Sequence, residues 1–165
     1  MKTIPLSKGR EAIVDDEDFD FLMQWKWHAY SSYKVWYARR FTLKSDSADG
    51  KQHPILMHRV VNKTPVGVKT DHKNGNGLDN RKTNLRNATH FENMRNRGTN
   101  RGATSDHKGV DWDSRQRKWR AQICVNNQKI FLGRFSDEAD AASAYLAASA
   151  KHFGEFHHIP TGSRP

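Results

Sequence analysis

The chain has 165 residues and a formal net charge of +10, a surplus that points to a polyanionic partner. Only 35% of it is hydrophobic, so any core is modest, and small modules fit better than one large globule. A single cysteine, Cys124, excludes an internal disulfide framework and a Cys-rich structural zinc site, and suits a reducing cytoplasmic compartment.

The N-terminus has no apolar core of a signal peptide, and no run approaches the roughly 18 apolar residues of a membrane span. No membrane partner is expected. Ile4–Leu6 and Ala12–Val14, with Lys8-Gly9 between them, read as a hairpin, and Asp15–Asp20 as an acidic turn. Trp25, Trp27, Tyr30, Tyr33, Trp36 and Tyr37 follow. Such density reads as core packing before base stacking, with Arg39 and Arg40 able to touch phosphate. Ser45–Lys51 is a polar loop. Ile55–Asn62 (ILMHRVVN) reads as a buried strand, with His58 as a core histidine. After a break at Thr64–Gly67 come a short extended segment, Val68–His72, and a Gly/Asn/Asp loop over Lys73–Asn80. Thr89 and Glu92 form a capping box, so a helix should start after Thr89 with Asn93 in its first turn.

Asn96–Asp106 reads as a linker able to track a phosphate backbone. Beyond it, Gly109–Asp113, Lys118–Asn126 and Gln128–Phe135 read as three strands, with Asn126-Asn127 as a tight turn. Ser136 is the expected cap of an Ala-rich helix ending at Gly154, and His157 and His158 are expected in solvent.

The positive charge is uneven. Residues 1–50 hold eight Lys/Arg against eight Asp/Glu, residues 51–100 ten against three, and residues 101–165 ten against seven. The excess therefore peaks around Asp71–Asn93, DHKNGNGLDNRKTNLRNATHFEN. This stretch has the spacing H-x11-N-x8-N, with a carboxylate directly before the histidine. Phosphodiester hydrolysis needs a base for water and a cation for the leaving oxygen. Histidine titrates near pH 6.5 and suits the first role. A carboxylate plus an amide carbonyl suits a hard cation that keeps several waters. Asp71 and Asn93 are the expected metal pair. His72, next to Asp71 in extended backbone, points to the other face.

Met57–Val61 (MHRVV), Asp71–Leu85 and Glu92-Asn93 resemble the HNH endonuclease family, most of all its phage and intron-encoded homing members. The resemblance implies a β-hairpin, loop and helix around one metal (the ββα-metal fold). It implies that His72 activates water, that Asn84 orients the loop and the base, and that Asp71 and Asn93 bind the metal. Asn93 stands where the family has its second histidine. All-oxygen ligation favours one Mg²⁺ or Mn²⁺ per site over Zn²⁺. Arg59, Arg95 and Arg97 are the expected phosphate contacts around this module.

In the second predicted strand Trp119, Ala121, Ile123 and Val125 point one way, and Lys118, Arg120, Gln122 and Cys124 the other. The first set can pack on the helix. The second makes a polar, basic sheet face of the kind that reads base edges in the major groove. Lys108–Val110 (KGV), Lys118–Ile123 (KWRAQI), Phe131–Phe135 (FLGRF) and the Ala-rich helix resemble the plant ethylene-response-factor (APETALA-type) DNA-binding domain. That resemblance implies DNA contacts by Lys108, Lys118, Arg120, Gln122, Lys129, Phe131 and Arg134. Asp111 and Asp113 stand where the family is usually basic, so its base specificity does not transfer.

The expectation is an α+β chain: a β-rich unit (1–52), a ββα-metal nuclease module (53–97), a linker (98–106), and a three-stranded antiparallel sheet packed on one helix (107–160). Its partner is double-stranded DNA, cut by a monomer, with no small-molecule substrate. The rival expectations are a DNA-binding regulator with a degenerate nuclease module and, on charge and aromatics alone, an RNA-binding protein.

Overall fold

β1 (Lys2–Pro5) and β2 (Glu11–Val14) form the expected antiparallel hairpin, with Lys8 (φ 62°) and Gly9 (φ 63°) both left-handed at its turn. These coordinates are a computed structural model that describes residues 1–32, 35–96, 99 and 102–157. The architecture is α+β with several small sheets, divided into two units, Met1–His90 and Phe91–Pro165.

In the first unit the acidic segment after β2 is a helix rather than a turn. This is α1 (Asp16–Leu22), with Asp16, Glu17 and Asp18 in its first turn, where the helix dipole favours negative charge. Burial of Leu22 and packing of Phe19 on the core override the turn-like composition. β3 (His28–Ser32), β4 (Val35–Phe41) and β5 (Pro54–Leu56) form an antiparallel sheet in that order.

ILMHRVVN is not a single strand. It leaves β5 after Leu56 and becomes α2 (Met57–Val61). Met57, His58 and Val61 are its buried residues, a helical spacing that a short continuous apolar run conceals. Ile4, Ala12, Val14, Leu22, Trp27, Ala38, Met57, Val61 and Leu85 share one core. Trp27 adds a hydrogen bond from Nε1 to the Leu22 carbonyl at 2.9 Å. The division expected after residue 52 therefore runs through a single packed unit, because composition cannot show which apolar faces meet. β6 (Lys69–His72) and β7 (Leu85–Ala88) complete this unit as an antiparallel pair.

The second unit contains most of α3 (His90–Arg95), whose start after Thr89 matches the capping-box reading. β8 (Val110–Asp113), β9 (Lys118–Val125) and β10 (Gln128–Phe135) form an antiparallel sheet with β9 central. Asn126 (φ 50°) and Asn127 (φ 63°) make the tight turn, as left-handed residues must in a two-residue hairpin loop. α4 (Glu138–Phe153) is capped by Asp137, whose carboxylate accepts from the Ala139 amide at 2.7 Å. The expected Ser136 cap is thus displaced by one residue.

Ala141, Ala142, Tyr145 and Phe153 of α4 are buried with Val110, Ala121 and Ile123 of the sheet. Gly109 (φ 74°) allows this: a Cβ there would overlap the Tyr145 ring. A β-bulge between Phe131 and Gly133 lets Leu132 join the apolar side while Arg134 stays opposite Arg120. The expected linker lies partly outside the described residues. Its end is tied down, with the Thr104 hydroxyl accepting from the Trp112 amide and Ser105 donating to Glu138.

Candidate active site

The β6–β7 register sets two residues of the motif against specific partners. Asp71 faces Arg86, and His72 faces Leu85. The Arg86 guanidinium donates to Asp71 Oδ2 from Nε at 2.8 Å, with Nη2 at 2.6 Å from the same oxygen. Both side chains are buried, at 9% and 6% exposure, so water screens this pair little.

The loop joining the two strands is closed by amide side chains. Asn84 donates from Nδ2 to the Asp79 carbonyl at 2.8 Å, and its Oδ1 accepts from the Asn74 amide at 3.0 Å. Asn74 Oδ1 and Asn76 Oδ1 each accept from the backbone two residues on, the local turn for which Asn is favoured. Asn74 also donates to Asp79 Oδ2, which Arg81 Nη2 holds at 2.7 Å. Burial pushes the Asp79 carboxyl up, but the Arg81 hydrogen bonds outweigh it and hold it below its ordinary value.

A parallel bridge from Ile13 to Asp79, with Ile13 donating to the Leu78 carbonyl and accepting from the Asn80 amide, fastens the loop to β2. On β4 the fit is equally close. A Cβ at Gly77 would overlap the Trp36 carbonyl and the Tyr37 ring.

His72 lies under this loop, 6% exposed. Its Nε2 is 3.5 Å from Asn80 Oδ1, a long contact. Its ring is set edge-on to His58, with centroids 5.0 Å apart, and tilted against Tyr37 at 5.9 Å. Burial drives His72 below its ordinary value, against Asn80, Asp71 and Asp79, which favour the charged form. Burial and the neighbouring His72 push His58 down to about 3. Both rings are therefore neutral at pH 7, the form in which histidine accepts a proton.

Asp71 and His72 are neighbours on β6 and Asn84 directly precedes β7, all in the first unit, while Asn93 lies on α3 in the second. Arg59 is committed to its own loop, donating to the carbonyls of Val68 (2.7 Å), Pro65 (2.9 Å) and Thr64 (3.3 Å). Arg95 stacks over Phe153 at 4.8 Å, and Arg97 lies outside the described residues. Lys108 donates to the carbonyls of Arg95 (2.6 Å) and Met94 (3.2 Å).

On the polar sheet face Lys118 and Lys129 are exposed, and Phe131 is exposed beside Arg134. Arg120 and Gln122 both donate to Asp111, and Arg134 to Asp113. The two unexpected acids therefore sit on this face and neutralise part of its charge. Arg86, Asn80 and Asp79 escaped the sequence reading. Arg86 emerges only from the strand register, whereas D-x-R at Asp79–Arg81 is a local turn signal.

Among the described residues no three His, Cys, Asp or Glu side chains converge as a cation cage. No helix among the described residues is long and apolar enough to cross a membrane.

The chain is 29% identical over 141 residues to a protein named as an uncharacterized HNH endonuclease from Acanthamoeba polyphaga mimivirus, a match covering 84% of this chain and 72% of that protein. This similarity supports a nuclease in general terms. No family model matches the chain. No solved structure matches it.

Proposed function

We propose that the chain is a DNA endonuclease of the HNH homing type. The observation that carries this reading is a buried, neutral histidine, His72, directly after a buried carboxylate, Asp71, beneath a loop that Asn84 closes. His72 takes the proton from the attacking water at its unprotonated ring nitrogen. Asn84 holds the loop over it, and Asn80 and the Tyr37 and His58 rings limit its rotation.

Asp71 would hold Mg²⁺ or Mn²⁺ with its carboxylate, and Asn93 is the second ligand that the sequence motif implies. When bound, such a cation supplies Lewis-acid stabilisation of the leaving 3′ oxygen. Asp71 shares its carboxylate with Arg86. The substrate is double-stranded DNA, and Lys118, Lys129, Phe131 and Arg134 of the second unit provide another DNA surface. Tethering two weak binders raises their joint affinity without either carrying all the selectivity.

The test is plasmid nicking with Mg²⁺ and with EDTA, by the wild type and by His72→Ala. The expected result is metal-dependent conversion of supercoiled DNA by the wild type alone, with duplex affinity unchanged in the variant. Wild-type cutting by His72→Ala removes the histidine from the mechanism. Tight binding with no cutting by the wild type favours a DNA-binding regulator instead.

A further inference from the structure

Residues 1–50 are neutral in sum, yet the fold separates their charges. The acids Asp16, Glu17 and Asp18 gather on α1, where they pair with the N-terminal amine and Lys82. Two cations of the β1–β2 turn go elsewhere. Lys8 Nζ lies 5.1 Å and Arg10 Cζ 4.0 Å from the centroid of one ring, that of Trp36. Neither side chain has a carboxylate partner within ion-pair distance among the described residues. Lys8 also holds a left-handed backbone (φ 62°, ψ 31°) that is costly for a residue with a side chain.

Two like charges gathered on one indole ring, without a counter-charge, leave a place for an anion. Its position is informative. The loop that covers His72 is fastened to β2 by a parallel bridge between Ile13 and Asp79. Gly77 independently abuts the Trp36 carbonyl. The backbone of the residue that holds the two cations therefore touches the loop that covers His72.

We infer that Lys8 and Arg10, held on Trp36, form a seat for the phosphodiester backbone of DNA beside the candidate active site. This seat rests on the endonuclease reading and extends it, for it holds a segment of the strand flanking the one to be cut. The Trp36 ring fixes the two cations in advance, by the attraction of positive charge to an aromatic face. Contacts of this kind set register and affinity and carry no base specificity.

The test measures full-chain binding to a DNA duplex in EDTA across a salt series, so cutting is not needed. Neutralising both residues (Lys8→Ala with Arg10→Ala) should lower the slope of log affinity against log salt by about 1.8, roughly 0.9 per phosphate contact, equally on unrelated sequences. Arg10→Lys should keep most of the slope. A melting curve on each variant separates this from unfolding, which changes the melting temperature and the active fraction but not the slope of the folded protein. A slope unchanged in the doubly neutralised, folded protein overturns the seat while leaving the nuclease reading intact. A wild type that binds no DNA duplex overturns both, and a slope change seen only on an RNA duplex overturns the DNA assignment.

Discussion

Removing Arg86 tests the electrostatics of the candidate site directly. Its guanidinium sits on Asp71 Oδ2 at 2.6 and 2.8 Å, with both side chains almost out of solvent. Deleting one member of such a buried pair costs about 3–5 kcal/mol. The unit that contains it has 90 residues, Met1–His90. At that size each kcal/mol moves the melting temperature by roughly 4–8 °C, so Arg86→Ala should lower it by at least about 12 °C. The Asp71 carboxylate, relieved of the Arg86 charge, should then be a better cation ligand. Mg²⁺ at a hundredfold excess over its dissociation constant should restore about 2.7 kcal/mol through binding to the folded state. Thermal denaturation of wild type and variant, with and without Mg²⁺, reads both quantities. Arg86→Lys keeps the charge but loses the forked geometry, and should fall between them. A melting temperature lowered by Arg86→Ala but insensitive to Mg²⁺ would refute Asp71 as a cation ligand. An unchanged melting temperature would refute the strength assigned to the buried pair.

Three other changes have defined outcomes. Gly77→Ala drives a methyl group into the Trp36 carbonyl and the Tyr37 ring, and should cost about 1–3 kcal/mol in a urea titration, with DNA cutting falling as the loop lifts from His72. His58 has its folded pKa pushed down to about 3, so the unfolded chain binds the extra proton below its ordinary value near 6.5. The stability from this burial is complete above about pH 6.5 and is lost as pH falls toward 3, at about 1.4 kcal/mol per pH unit. His58→Phe should flatten that part of a melting-temperature series from pH 7 to pH 4, and an unchanged acid slope would show that the ring is not buried as described. Asp111→Asn weakens the hold on Arg120 and Gln122, since a neutral amide oxygen replaces a carboxylate, and removes a negative charge from the sheet face. Duplex affinity should rise and the salt slope steepen by up to about 0.9, whereas a loss of affinity would mean that Asp111 orients Arg120 productively.

Elements governed by neighbours in the chain were legible in the sequence. The Lys8-Gly9 turn follows from its glycine and the Asn126-Asn127 turn from its asparagines, residues that tolerate left-handed backbone, and the α3 start from the Thr89/Glu92 box. The alternation in β9 separates an apolar side from a polar one, as the burial of Ala121 and Ile123 shows. The spacing of Asp71, His72 and Asn84 marked the stretch that folds into β6, the loop that Asn84 closes, and β7. Where the reading missed, the deciding energy came from distant residues. Met57–Val61 is helical because Met57 and Val61 reach a core shared with Ile4 and Leu22, and Asp15–Asp20 yields a helix because Phe19 and Leu22 find the same core.

Electrostatics divides in the same way. Net charge is additive and can be read from composition, which points to a polyanion. Local electrostatic energy depends on distance and burial, which only the tertiary structure decides. Strand register sets Arg86 on Asp71, helix packing sets His58 against His72, and the hairpin turn places Lys8 and Arg10 on Trp36 while α1 takes the acids. The segment that sums to zero in sequence therefore presents unpaired positive charge in space.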